Sequence, residues 1–304
     1  MPIFQIKNSS LNPIKETSFA LEKDLQKLTE DNLAAIFGLE MVKSEFRLQN
    51  FIIDTLAFDS ETKSFVIIEY KRDKSFSIID QGYAYLSSML NNKADFILEY
   101  NEKTRGNLQR DGVDWSQSKV MFLANSFTPY QQNAINFKDL PLELWEVKKY
   151  DNQTVFYNQL KPAETRESIK TITKNKVIDK VSREVKKYEV EDHFKAGWDK
   201  SREIFEELRG RIKANDGVEE KVLKHYIAYE INGKNFAEIV AQAGGLKIYL
   251  DINKGDLKDV NDMARDCSRF GRLATGNVQF KVSALDDIEY ATSLIKQAHE
   301  KFYK

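Results

Sequence analysis

Two short hydrophobic runs, each ending in charge, dominate the pattern of the chain: Phe51-Ile52-Ile53-Asp54 and Phe65-Val66-Ile67-Ile68-Glu69-Tyr70-Lys71. Both are short, rich in β-branched and aromatic residues, and bounded by polar ones, which predicts two buried strands. The polar stretch 59–64 predicts a hairpin turn between them. If Asp59 and Ser64 close that turn, Asp54 falls opposite Glu69, and opposed residues of an antiparallel pair share a face. Lys71, two residues further on, shares it as well. The pattern therefore gathers two carboxylates and an ammonium group at the end of a buried hairpin. Charges in such a place are costly unless they pair, bind a metal or do chemistry.

The flanking segments predict the rest of a layered unit. Residues 16–37 have helical spacing, with Leu21, Leu25, Leu28 and Leu33 as an apolar stripe and Ser18 as the N-cap. Glu22 lies about 60° round the helix from Leu25, close enough to the core-facing stripe to reach a central sheet. A solvated flank acid is the plainer alternative. After Lys71, the residues Ile79, Gly82, Tyr83, Leu86 and Met89 give a second helix an apolar side, with Gln81 and Tyr85 on its flank. Gln81 is a polar contact to the site or to a phosphate, or else a surface glutamine. Residues 94–98 finish this helix or open a strand. Residues 120–123 read as a buried strand and 129–137 as a short helix opened by Pro129. Residues 142–147 and 155–157 read as a closing pair of strands. Helix, hairpin, helix, strand, helix, strands is an α/β arrangement with a mixed sheet flanked by helices.

A change of composition marks the end of this unit, near residue 160. Residues 161–189 carry nine Lys or Arg against five Asp or Glu, a local net of +4, and open with Lys161-Pro162. We read 161–190 as a basic helical linker, with a strip contacting nucleic-acid backbone as the alternative. Residues 191–304 then form a smaller α+β domain. It has a helix over 191–215, strands over 222–231, 236–240, 246–252 and 278–282, and an amphipathic final helix over 285–303. The three arginines of 265–272, beside glycine, could hold a phosphate or carboxylate. The alternative is a turn whose arginines pair with nearby acids.

The remaining chemistry is sparse, and this narrows the reading. A single cysteine, Cys267, excludes a disulfide framework or a cysteine metal cluster. Three histidines, His193, His225 and His299, lie outside the charged hairpin, which argues against a His-ligated zinc or a triad. With 41% hydrophobic residues the chain of 304 can bury ordinary cores, and its net charge of −1 does not mark a general polyanion binder. No apolar run reaches the length of a membrane span, and no secretion signal opens the chain, so a cytoplasmic location without membrane contact is expected. Oxygen ligands of the kind Asp54 and Glu69 supply suit Mg²⁺, which takes one or two carboxylates and keeps several waters. A lysine beside them can orient a metal-bound water and stabilise charge on a phosphate. A buried ion pair that only fixes the hairpin is the alternative.

The segments LEKDLQKLTEDNL (21–33), FRLQNFIIDTLAFD (46–59), FVIIEYKRDK (65–74) and IIDQGYAYL (78–86) together resemble the PD-(D/E)XK nuclease superfamily, especially the branch related to the NucS endonucleases. That family's order is a helical Glu, a strand Asp, Glu-x-Lys on the next strand and a Gln in the following helix. Glu22, Asp54, Glu69, Lys71 and Gln81 match it. The arginine common just before the strand Asp is absent, and the nearest is Arg47. The resemblance implies a restriction-endonuclease-like fold over 1–160 and metal-dependent hydrolysis of DNA. Asp54 and Glu69 would hold Mg²⁺ or Mn²⁺, the Tyr70 carbonyl and Glu22 would assist, Lys71 would orient water and Gln81 would support the site. Arg72, Lys74, Arg105 and Arg110 are the candidate phosphate contacts. The alternative is an inactive nuclease-fold module that binds nucleic acid or a protein partner. The C-terminal part resembles a domain of unknown function found beside such modules in bacterial proteins, some labelled predicted transport proteins, although no transport feature is visible. It leaves room for a homodimer or a partner protein.

Overall fold

The predicted hairpin forms the centre of the first sheet. In the computed structural model, which describes residues 3–48, 51–71, 77–137, 139–161, 176–268 and 274–303, the chain divides into two compact units, Met1–Lys186 and Lys187–Lys304. The first unit runs β1 (Ile3–Lys7), β2 (Ser10–Ile14), β3 (Glu16–Thr17), α1 (Glu22–Glu30), α2 (Leu33–Phe37), β4 (Glu40–Leu48), β5 (Phe51–Asp59), β6 (Ser64–Lys71), α3 (Ile78–Asn91) and α4 (Lys93–Thr104). It continues with β7 (Lys119–Ala124), α5 (Pro129–Ala134), β8 (Leu142–Tyr150), β9 (Val155–Leu160) and α6 (Lys176–Glu184). The sheet order is β3-β8-β7-β6-β5-β4, with β9 also on β8. Strands β6, β7 and β8 run parallel, while β4, β5 and β9 are antiparallel to their neighbours, so the sheet is mixed.

Side-chain parity along β6 sets the two cores. Phe65 and Ile67 pack with Leu86 and Met89 of α3, whereas Val66, Ile68 and Tyr70 pack with Leu25 of α1 and Leu33 of α2. A strand buried on both faces is the reason the run 65–70 shows no polar alternation. Gly82 lets α3 approach β8, because a Cβ there would lie 2.4 Å from a methyl of Leu142.

Several expectations are corrected. Residues 16–37 do not form one helix: β3 precedes α1, and the break at Asp31–Asn32 separates α1 from α2. Helix α1 starts at Glu22, its N-cap is Leu21 and not Ser18, and Asp24 accepts the Leu21 N–H at 3.0 Å. Its buried stripe is Leu25, Gln26 and Thr29, while Leu21 and Leu28 face solvent. Residues 94–98 belong to a separate helix, α4. Helix α6, read as part of a solvated connector, buries Ile178, Val181 and Ser182 and joins the α3-side core of the first unit. Residues 162–175 of that connector lie outside the described ones.

The second unit contains α7 (Asp199–Lys213), β10 (Glu219–Val222), β11 (Ile227–Ile231), β12 (Lys234–Gln242), β13 (Gly245–Leu250), β14 (Arg265–Asp266), β15 (Val278–Val282) and α8 (Ile288–Phe302). Its antiparallel sheet has the order β10-β11-β12-β13-β15-β14. Helices α7 and α8 cover one face with Phe205, Leu208, Leu294 and Ile295 against Ile248, Leu250 and Phe280. The expected helix over 191–215 is broken by Gly197, whose φ of +83° leaves the helical region, and only Asp199–Lys213 is α-helical. The expected strand 222–231 is a hairpin, turned where the Leu223 N–H meets the Tyr226 carbonyl. Among the described residues no helix is long and apolar enough to cross a membrane.

Gly245 opens β13 at φ +144°, where an added Cβ would stand 2.2 Å from the Val282 carbonyl oxygen. Backbone contacts of this kind cannot rotate away, so Gly245→Ala should destabilise the second unit by about 1–3 kcal/mol. Thermal unfolding of the two proteins side by side checks this, and an unchanged midpoint would contradict the strand pairing at β13–β15.

Candidate active site at the end of the β5–β6 hairpin

The hairpin register decides which charges meet. Asp59 pairs with Ser64, and the ladder continues to Thr55 opposite Ile68. One step further on, Asp54 comes opposite Glu69 and the ladder opens. There the Asp54 Oδ2 accepts the Tyr70 backbone N–H at 3.0 Å, replacing the carbonyl that a continuing strand would supply. Glu69 has the parity of Phe65 and Ile67 and so points to the α3 side. Its Oε1 accepts Lys71 Nζ at 2.7 Å and Gln81 Nε2 at 3.1 Å. The Gln81 amide also reaches the Tyr85 hydroxyl at 3.1 Å, one turn along α3. Ser77 caps α3 and fixes the start of that helix, and hence Gln81, beside the strand end.

The opposite side of Asp54 is held by α1. Gln26 Nε2 donates to the Asp54 carbonyl at 3.0 Å, to Ser44 Oγ at 3.3 Å and to Glu30 Oε1 at 3.0 Å. Thr55 donates to Glu30 Oε1 at 2.6 Å. Sequence reasoning passed over Gln26 and Glu30. The signal was the phase of α1, since Gln26 sits beside Leu25 on the stripe that Thr29 and Leu33 continue.

Glu69 is 4% exposed, and its Oε2 is buried without a hydrogen bond among the described residues. Burial pushes the Glu69 carboxyl up from its usual range, the Asp54 charge adds to this, and Lys71 opposes it. Asp54 is pushed up as well, first by burial, with Glu22 and Glu30 adding and the Tyr70 N–H and Lys71 opposing. A buried acid and a half-buried one thus repel each other beside a single ammonium. An orphaned carboxylate oxygen and a second acid alongside fit a hard divalent cation such as Mg²⁺ or Mn²⁺, which takes oxygen ligands and fills its remaining positions with water.

Glu22, the first residue of α1, is exposed. It and Lys71 line one cavity of 220 Å³, together with Ser18, Phe19, Leu21, Leu25 and Asn125. Asn125 follows the last residue of β7, so this cavity sits at the carboxyl ends of the parallel strands β6 and β7. Among the described residues no three acidic, His or Cys side chains already stand close enough together to hold a metal. The acids at this end of the sheet are the Asp54–Glu69 pair, with Glu22 at the cavity rim. The Tyr70 side chain belongs to the opposite core, where its hydroxyl meets Thr55 Oγ1 at 3.3 Å.

The four predicted phosphate contacts fare differently. Arg72 and Lys74 lie outside the described residues. Arg105 and Arg110 are not at the site. Their loop is tied to the turn end of the hairpin, where Asp114 N–H donates to the Lys63 carbonyl at 2.8 Å. Glu69 is six residues further along the chain, roughly 20 Å at the rise of a strand.

An uncharacterized protein of Haemophilus influenzae is 41% identical over 300 residues, covering 98% of this chain and 99% of that one. The chain belongs to that protein's family. Residues 190–301 match a domain of unknown function, DUF5655. Among solved structures, a repair endonuclease from Pyrococcus abyssi is similar over 40% of this chain and 45% of its own, with 18% identity and a TM-score of 0.23. A structure described as an EndoMS–dsDNA2 complex is similar over 42% of this chain and 57% of its own, with 15% identity and a TM-score of 0.21. The chain thus spans about half the length of each of these two.

An acid whose pKa is raised by folding opposes folding when ionised. That cost is present at neutral pH and is relieved as pH falls through the raised value. Asp54→Asn and Glu69→Gln keep one acceptor oxygen each and remove the charge. Each should raise the thermal midpoint at neutral pH by about 2–4 °C in a unit of this size. Mg²⁺ should raise the midpoint of the unmodified protein and leave that of the double variant where it was. A scan with and without Mg²⁺ checks both, and an equal shift in all proteins would place the cation elsewhere.

Proposed function

We propose that the first unit is a metal-dependent endonuclease that hydrolyses phosphodiester bonds in DNA. The observation that carries this reading is the asymmetry of Glu69. One oxygen is fixed by Lys71 and Gln81, and the other is buried with no hydrogen bond among the described residues. A purely structural ion pair gains nothing from a stranded, buried carboxylate oxygen, which costs about 1–3 kcal/mol or more. The order Glu22, Asp54, Glu69, Lys71, Gln81 and its resemblance to the PD-(D/E)XK pattern give the same reading from the sequence.

Asp54 and Glu69 would hold Mg²⁺ or Mn²⁺, with Glu22 and the Tyr70 carbonyl as further oxygens at the rim. The ion would lower the pKa of a bound water and offset charge developing on the phosphate. Lys71 holds its ammonium at the cavity wall, where it can orient that water and meet a non-bridging phosphate oxygen. Gln81 and Tyr85 keep Glu69 in one rotamer. Gln26 anchors the Asp54 backbone, so that its carboxylate does not swing with the open end of the ladder. Arg72 and Lys74, directly after the catalytic strand, are the proposed phosphate contacts. The short Lys71–Glu69 bond favours a second reading, a binding module whose ion pair only fixes the hairpin.

The two readings separate in one assay. Purified protein should cleave DNA in Mg²⁺ or Mn²⁺ and stop in chelator. Asp54→Ala or Glu69→Ala should lower the rate by about 10³-fold or more, and Lys71→Ala by about 10²–10³-fold, the scale seen when one charge-stabilising group is removed. Single-stranded, double-stranded and branched substrates should be compared. Cleavage by Asp54→Ala at the unmodified rate would overturn the nuclease reading, and DNA binding without cleavage in any metal would establish the module.

A further inference from the structure

Among the described residues one face of the second unit's sheet carries no helix, and the cross-strand register there sets two lysines against each other. Leu246, Ile248 and Leu250 of β13 point toward α7 and α8, so Lys247 and Tyr249 point away. Lys247 lies directly opposite Lys281 of β15, and on its other side opposite Val240 of β12. In the next row Arg265 of β14 faces Gln279, which faces Tyr249, which faces Glu238. Like charges directly opposed on neighbouring strands are destabilising.

The acids of this face do not relieve that opposition. Glu238 is buried and is held by the N–H groups of Thr275 at 2.8 Å and Gly276 at 2.9 Å, with Asn235 Nδ2 at 3.1 Å. Glu230 is paired with Lys221 at 2.6 Å. Arg265 gives one N–H to Gln279 Oε1 at 3.0 Å and is otherwise open to solvent. Among the described residues Lys247 and Lys281 form no ion pair or hydrogen bond. Cys267 and Ala274 pack with Tyr249 and Ala228 on this face, and of the lysine pair Lys281 is exposed and Lys247 half-buried.

We propose that this face of the second unit holds the phosphate backbone of nucleic acid, with Lys247 and Lys281 converging on one phosphate and Arg265 on a neighbouring one. An anion between the two lysines turns their repulsion into two attractions, and a polyanion supplies a second phosphate for Arg265. The choice of nucleic acid among polyanions rests on the nuclease reading of the first unit. The charge complementarity does not depend on it.

The test uses the full chain with Asp54→Asn as a non-cleaving background, and a short fluorescent DNA followed by anisotropy across a salt series. Lys247→Gln with Lys281→Gln should weaken binding about tenfold or more. It should also lower the slope of log affinity against log salt by about one, as the loss of one phosphate contact requires. Arginine at both positions should restore the affinity and the slope. The glutamine pair should also unfold at a higher temperature than its parent in the absence of DNA, which shows that the variant is folded. Unchanged affinity and slope would overturn the proposal, as would poly-glutamate bound as tightly as DNA, which would point to an acidic protein partner. Cleavage is read separately, in Mg²⁺ and Mn²⁺, on chains that keep Asp54. Lysine-dependent binding with no cleavage by the chain that keeps Asp54 would support the proposal and sink only the nuclease reading. Cleavage by that chain together with lysine-independent binding would do the reverse.

Discussion

A buried carboxylate that is half satisfied is the constraint around which the first unit is arranged. Glu69 sits at the end of a strand covered on both faces, where an ionised acid is far from water. The groups around it come from three elements. Lys71 comes from its own strand, Gln81 and Tyr85 from α3, and the opposing acid Asp54 from β5. None of these supplies the second oxygen. The fold is stable despite Glu69, because Ile67, Ile68, Phe65 and Tyr70 beside it bury large apolar surfaces on both sides of the sheet.

The position of this group also follows from the sheet's mixed direction. Strand β6 is antiparallel to β5 and parallel to β7, so its carboxyl end lies beside the amino-terminal part of β5 and beside the carboxyl end of β7. Parallel strands place crevices outside their carboxyl ends, where loops and helix starts gather. Here that crevice receives Asn125 after β7, α3 after β6, and the first turn of α1 with Glu22. The hairpin brings Asp54 to the same edge from the other direction. A fully parallel sheet would have put the start of β5 at the opposite rim.

The hairpin and its pairing were legible because three signals agreed: two dense apolar runs, one polar turn, and a register that a single pair, Asp59 with Ser64, sets. The strands at 119–124, 142–150 and 278–282 were legible for the same reason. Strand β4 was not, because its register shifts between Met41 and Lys43 and Glu45 takes a φ of +49°, which scrambles the period of two. The phase of α1 was misjudged because its inner face carries Gln26 and Thr29 and its outer face carries Leu21 and Leu28. A polar inner face is what holding Asp54 requires, so propensity failed where the helix serves the site. Arg105 and Arg110 were misplaced because only the tie between Asp114 and Lys63 shows that their loop returns to the turn end of the hairpin.

The two units share a physical feature that neither resolves alone. In the first, Asp54 and Glu69 are neighbouring acids with one ammonium, bonded to Glu69, and a Glu69 oxygen to spare. In the second, Lys247 and Lys281 are ammonium groups held side by side with the local acids already engaged. A cation is the natural complement of the first arrangement, and an anion of the second. On the readings proposed above, a divalent ion would relieve the first and a phosphate the second. A ligand of one sign alone, or a neutral partner, would leave one of the two opposed pairs unrelieved. Each complement rests on groups of one unit alone, and neither needs the two units to share a ligand.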